Sequence, residues 1–204
     1  MDLSYGPEYD AYRADLKAFL DANWKPGGDA KAFHAKAVEA GYLLRWVPEK
    51  YGGSEMPPND IEAAIIREEF QRVRAPGEAR GIGMMMLVPT LLERGEEWQK
   101  DQFVPKTVTG EYLWCQGYSE PSSGSDLASL RTRGELDGDE WVINGQKIWT
   151  TSAVEADYMF CLVRTPPTVM IFEILKPGAL VGTRNIEMPR CFGASGSVRA
   201  ASQM

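Results

Sequence analysis

Trp114-Cys115-Gln116-Gly117-Tyr118-Ser119-Glu120-Pro121-Ser122-Ser123-Gly124-Ser125-Asp126-Leu127 is the stretch that decides how this chain is divided. Its first half alternates, with Trp114, Gln116 and Tyr118 on one side and Cys115 and Gly117 on the other, which is strand periodicity. Its second half is a Pro-, Ser- and Gly-rich loop, whose free backbone N–H groups and hydroxyls suit an anionic or carbonyl-rich ligand. Such loops are most often plain turns, so the segment taken alone carries a weak signal. Gln146-Lys147-Ile148-Trp149-Thr150-Thr151 strengthens it, because an aromatic face beside hydroxyls is what a planar heteroaromatic cofactor needs.

Upstream of this strand the period is helical. Pro7 suits a first helical position, and Tyr9, Tyr12, Leu16, Phe19 and Leu20 follow at helical spacing until Lys25-Pro26-Gly27-Gly28. Asp29 is placed to cap a second helix with Phe33, Ala37 and Ala40 on one face and Gly41 as its stop. Asn59 and Glu62 have the form of a capping box, opening a helix with Ile61, Ile65, Ile66, Phe70 and Val73. Helical runs are expected at 83–94, bent by Pro89, and at 96–103. Downstream, the dipeptides Asp137-Gly138 and Asn144-Gly145 both read as hairpin turns, and 158–164 as a further strand. The expected fold class is α+β: an all-helical domain over 1–110, then an antiparallel β domain over 111–165.

Residues 166–204 read as a divergent tail. They hold four basic and two acidic residues, against 18 basic and 27 acidic before them. A sign switch at one point suggests a junction. The stretch from Cys191 to Met204 is small and polar, with neither helix nor strand period.

The chain has 204 residues, 44% of them hydrophobic and 25% charged, which excludes general disorder. A net charge of −7 argues against a nucleic-acid binder, since neutralising phosphates needs a basic face. No apolar run approaches the roughly 18 residues of a membrane span. The first residues lack the charged start and apolar core of a signal peptide. Three unclustered cysteines, Cys115, Cys161 and Cys191, fit neither a disulfide framework nor a zinc site, so a cytoplasmic location is expected.

Ser119-Glu120-Pro121, Gly124-Ser125-Asp126 and Asn144-Gly145-Gln146-Lys147-Ile148-Trp149-Thr150-Thr151 together resemble the signature of the middle β domain of flavin-dependent acyl-CoA dehydrogenases. Trp46-Val47-Pro48-Glu49-Lys50-Tyr51-Gly52-Gly53 and the run 99–110 are similar to that family's N-terminal domain. The resemblance covers about residues 5–165 and fades after Thr165, with only Ile171-Phe172 and Lys176-Pro177-Gly178 echoing the pattern. It implies FAD as cofactor and α,β-dehydrogenation of an acyl-CoA thioester to a trans-2-enoyl-CoA, in fatty-acid or related acyl-CoA catabolism. It also implies an electron-transfer flavoprotein as acceptor and a homo-oligomer.

By the same resemblance, Gln116, Tyr118 and Ser119 line the flavin, with Ser119 donating to its pyrimidine oxygens. Trp149 and Thr151 flank the isoalloxazine, with Thr151 aimed at N5, and Gly124 lets backbone approach closely. Ser125 lies near both acyl-CoA and the FAD phosphates, a shared cofactor and substrate position. The resemblance makes the domain over 111–165 an incomplete, antiparallel β-barrel-like one; members of the family are longer and end in a helical bundle, expected to be absent here, that supplies the catalytic carboxylate. No residue of this chain matches that base. The alternative reading is therefore a non-catalytic truncated remnant or accessory subunit. Acyl-CoA oxidases and flavin monooxygenases share the β domain.

The remaining residues read plainly. His34 is the only histidine, so a His-based triad or multi-histidine metal site is excluded. Met84, Met85 and Met86 are expected in core packing and Cys115 as an inert core thiol. Glu68-Glu69 and Glu96-Glu97 are expected on solvated helix faces. Trp24, Trp46 and Trp98 are expected to pack between helices.

Overall fold

The computed structural model describes residues 5–137, 140–165, 171–175 and 194–201. Five α-helices are present among them: α1 (Glu8–Asn23), α2 (Ala30–Glu39), α3 (Asp60–Val73), α4 (Val88–Arg94) and α5 (Glu97–Val108). Six strands accompany them: β1 (Trp114–Gly117), β2 (Arg133–Asp137), β3 (Glu140–Lys147), β4 (Tyr158–Val163), β5 (Ile171–Leu175) and β6 (Ala194–Ala201). The described residues within 1–79 and 96–108 form one compact unit, and those within 80–95 and 109–204 a second. Among the described residues no helix is long and apolar enough to cross a membrane.

The first unit is built on helix faces that bury every third or fourth residue. Leu16 and Leu20 of α1, Phe33 and Ala37 of α2, and Ile65, Ile66 and Phe70 of α3 form one apolar core. The Phe33 ring sits 5.0 Å from Trp24, 5.8 Å from Phe70 and 6.0 Å from Phe19. Asp29 caps α2 by accepting from the N–H groups of Lys31 and Ala32, and Asn59 caps α3 through those of Ile61 and Glu62. The Glu62 carboxylate goes to Arg45.

Glu69 corrects the expectation of a solvated face. Helical spacing puts it on the same side of α3 as Ile65, Ile66 and Phe70, and it is buried there. Its carboxylate accepts from Arg13 Nη1 and Arg72 Nε, both at 2.6 Å, with Lys17 Nζ at 3.8 Å. Burial pushes this carboxyl up, and the two guanidinium bonds overcome that and hold it below its ordinary range. Glu96 and Glu97 are exposed, as expected. Trp46 and Trp98 are more than a third exposed, so neither is a buried anchor.

In the second unit the expected helix over 83–94 is two elements. Residues Gly83–Leu87 form a π-helical turn, in which the Val88 N–H reaches back to the Gly83 carbonyl, and α4 follows with Pro89 in its first turn. The turn splits the methionines: Met84 is buried, Met86 is half-buried and Met85 is 77% exposed. The later helix runs past Phe103 to Val108.

The strands form two three-stranded sheets, in the orders β1-β4-β5 and β2-β3-β6. Strand β1 pairs with β4 in parallel, Trp114 opposite Tyr158 and Gly117 opposite Cys161, so this sheet is mixed rather than antiparallel. The intervening forty residues, including the β2–β3 pair, make the crossover that a parallel pair requires. Every side chain of β4 is buried, and the alternation seen in β1 does not leave one face wet.

Strands β2 and β3 pair antiparallel from Arg133–Asn144 to Asp137–Glu140, consistent with a hairpin at Asp137-Gly138, although Gly138 lies outside the described residues. The second expected hairpin is absent. Asn144 and Gly145 lie inside β3, which continues to Lys147. Gly145 serves close packing, since a Cβ there would lie 2.2 Å from Thr132 Oγ1. The stretch read as lacking strand period supplies β6, paired antiparallel with β3 from Glu140–Ala201 to Lys147–Ala194. Ladder bonds come from backbone groups, so a small-residue strand without alternation pairs as well as a patterned one. Lys176-Pro177-Gly178, Arg184, Arg190 and Cys191 lie outside the described residues.

Candidate functional site

The two sequence motifs meet at the ends of β1 and β3. Ile148 donates its N–H to the Ser119 carbonyl at 2.8 Å. Lys147, the last residue of β3, donates from Nζ to the Tyr118 carbonyl at 3.0 Å and to Glu120 Oε1 at 2.8 Å. Residues 118–120 are thus gripped by the adjacent pair Lys147 and Ile148.

Glu120 is buried beside Lys147, with side-chain exposures of 4% and 6%. It also accepts from the N–H groups of Arg131 at 2.6 Å and Thr132 at 2.9 Å. Burial alone pushes such a carboxyl up; the bonds from Lys147, Thr132 and Arg131 win and keep it ionised. An acceptor so fully occupied is a structural anion rather than a free base.

The loop after Glu120 closes on itself. Glu120 and Ser123 exchange backbone bonds of 2.7 and 3.1 Å, and Ser123 Oγ donates to the Asp126 carbonyl at 2.8 Å. Ser123 is buried, while Ser122, Gly124 and Ser125 are exposed. A Cβ at Gly124 would meet nothing within 4 Å, so the space beside it is open to a ligand. Among the described contacts nothing ties Gly124 or Ser125 to the strand ends.

The other expected residues cluster. Gln116 on β1 is half-buried, its Nε2 3.4 Å from Met86 Sδ. Tyr118 packs edge-on against Phe160 at 5.7 Å, and burial pushes its phenol up against a smaller opposing effect of Gln116. Ser119 is half-buried. Cys115 is fully buried and its thiol is pushed up to about 11 by burial, which makes it inert at neutral pH.

Beyond Ile148 the chain turns out to solvent. Trp149 has φ 60° and is 71% exposed. Left-handed backbone at a bulky residue costs on the order of 1–3 kcal/mol and points to a functional constraint. Thr151 is also exposed, its N–H bonded to the Trp149 carbonyl at 3.0 Å. A large ring and a hydroxyl therefore stand in solvent at the end of a strand fixed on a polar loop. That combination offers one stacking wall and hydrogen-bonding groups to a flat, polar ligand.

Lys147 was not singled out by sequence reading, and Met86 was expected in core packing rather than beside Gln116. A lysine and a glutamate, each inside a motif otherwise made of small, hydroxyl or aromatic residues, were a readable hint of a buried pair. The Met86 contact depends on the π-helical turn and had no signal. Among the described residues no group of three or more His, Cys, Asp or Glu side chains is arranged to hold a metal.

Residues 7–111 match the family model of the acyl-CoA dehydrogenase N-terminal domain, and residues 115–189 that of the acyl-CoA dehydrogenase middle domain. The second match reaches past Thr165, where the resemblance was expected to fade. The chain is 41% identical over 137 residues to acyl-CoA dehydrogenase IpdE1 of Mycobacterium tuberculosis, covering 67% of this chain and 35% of that protein. It is 34% identical over 141 residues to mitochondrial isovaleryl-CoA dehydrogenase of Bos taurus, covering 69% of this chain and 33% of that protein. A solved structure of the ChsE4-ChsE5 complex from Mycobacterium tuberculosis aligns with a TM-score of 0.65 at 28% identity, over 98% of this chain and 56% of that one. The chain thus spans about a third of the length of those two curated relatives.

Proposed function

This chain belongs to the acyl-CoA dehydrogenase family, and from that premise we propose that it carries the flavin-facing wall of an FAD-dependent oxidoreductase that converts an acyl-CoA thioester to its trans-2-enoyl-CoA. The observation that carries this reading is the joining of residues 118–120 to Lys147 and Ile148, which sets the exposed Trp149 beside the Ser119 strand. The residues present fit a flavin: an exposed aromatic face at Trp149, the hydroxyls of Ser119 and Thr151, and unfilled space at Gly124.

When bound, FAD supplies the acceptor for the hydride leaving the substrate's β-carbon. In this reading Trp149 covers one flank of the ring, and Thr151 and Ser119 donate hydrogen bonds to its polar edge. Donors at that edge favour the electron-rich reduced form. Gln116 and Tyr118 line the approach from β1. Ser125 lies on the exposed loop, where one hydroxyl can serve either a cofactor phosphate or the acyl-CoA. Glu120 is not the carboxylate that takes the α-proton, since it is spent on Lys147 and two backbone amides.

An electron-transfer flavoprotein is the proposed acceptor. A solved relative is a complex of two named chains, which favours assembly of this chain with further family subunits. The test is the visible absorbance of the purified 204-residue chain after incubation with excess FAD and removal of free cofactor. A retained flavin spectrum near one per chain is expected. Absence of retained flavin would overturn the claim that this chain holds the cofactor.

A further inference from the structure

We propose that Lys147 is a positioning residue: its buried ammonium, shared between Glu120 and the Tyr118 carbonyl, fixes the limb carrying Trp149 and Thr151 against the strand carrying Ser119. The inference rests on the flavin reading above and deepens it. Three observations converge on Lys147. Its Nζ makes two bonds, 2.8 Å to Glu120 Oε1 and 3.0 Å to the Tyr118 carbonyl, and those partners flank Ser119 on either side. The next residue, Ile148, bonds the Ser119 carbonyl itself at 2.8 Å. Glu120 in turn takes the N–H groups of Arg131 and Thr132, and the Thr132 carbonyl accepts from the Arg164 N–H at 2.8 Å. One charge therefore ties together the end of β1, the end of β3 and the segment after β4.

Position matters here because the limb runs between two fixed points, the Lys147 and Ile148 bonds at its start and the buried Ala153, whose N–H bonds the Thr150 carbonyl at 3.1 Å, at its end. Trp149 is mostly exposed, Thr150 is half-buried and Thr151 and Ser152 are exposed. Trp149 and Ser152 both adopt positive φ, at 60° and 63°. Backbone in sparsely populated conformations persists only where its surroundings over-determine it. The Lys147 and Ile148 bonds are the anchors at the start of the limb. A carboxylate and an ammonium buried together hold a fixed geometry more strictly than apolar packing, because separating them strands a charge.

The test is hydrogen exchange on the full 204-residue chain, read without cofactor, together with visible circular dichroism after FAD loading. Lys147→Met leaves Glu120 buried and unpaired and can fail to fold, so the Glu120→Gln, Lys147→Met double variant is the deciding protein. It keeps volume and removes both charges. Amides of residues 148–153 are expected to exchange about tenfold or more faster in the double variant, while those of α3 are unchanged. Lys147→Arg, which keeps the charge, should fall between the two. With FAD loaded, the flavin circular dichroism band of the double variant should change in size or sign. Undiminished protection at 148–153 in a folded double variant would overturn the inference, as would an unchanged flavin band despite faster exchange. Failure of the unsubstituted chain to retain FAD would instead overturn the flavin reading, with exchange still deciding what Lys147 does.

Discussion

The Glu120 carboxyl is pushed up by burial and pulled down by Lys147, Thr132 and Arg131, and the balance lies at about 2, against an ordinary value of 4.5. A depressed value means that the folded state holds fewer protons than the unfolded state between those two limits. The contribution of Glu120 to stability is thus complete above pH 4.5 and is lost as pH falls toward 2. Glu68, Glu69 and Glu97 are lowered too, so overall acid sensitivity does not isolate this residue. The comparison with Glu120→Gln does. Denaturant titrations across pH 2–7 should show the wild-type chain more stable by a margin that is constant above 4.5 and narrows below it. A margin independent of pH would mean that the carboxylate is not held as the geometry describes. The charged character of positions 120 and 147 was legible in the sequence. Their pairing was not, because 26 residues and a strand turn separate them.

Strand β3 shows where local chemistry and tertiary packing disagree. Asn-Gly is a strong hairpin signal because both residues accept positive φ. Here the pair is extended, opposite Gly196 and Ser197 of β6, and the glycine is required by Thr132, which would lie 2.2 Å (Oγ1) and 2.7 Å (Cα) from an added Cβ. Gly145→Ala is therefore expected to destabilise by about 1–3 kcal/mol through overpacking. Thermal unfolding should show it as a drop of a few degrees, on the scale of ~2–4 °C per kcal/mol for a chain of this size. An unchanged midpoint would mean that the turn reading was the better one. The helices were easier to read: Asp29 and Asn59 are the caps that their positions suggested, since capping is local. The parallel β1–β4 pair and β6 were not legible. Strand direction depends on connections, and a ladder of small residues carries no period.

For the whole molecule, what the sequence conveyed best was charge. The chain carries −7 at neutral pH, and FAD and acyl-CoA are themselves anions. All of the negative excess precedes residue 166, and most described acidic groups stand in solvent, where their field is long-ranged and screenable. Lys147, at the proposed flavin wall, is buried and neutralised by Glu120, so it offers no net attraction to a phosphate. Association of FAD should therefore be slowed by the molecule's field at low ionic strength and accelerate as salt shortens the Debye length from about 30 Å at 0.01 M to about 8 Å at 0.15 M. Stopped-flow quenching of flavin fluorescence over that range measures it directly. A rate that rises with salt is the result expected of a neutral, pre-formed wall on an acidic body. A rate that falls would show the cofactor being steered by local basic groups, with exposed Arg131 and Arg133 near the Glu120 loop the first to substitute.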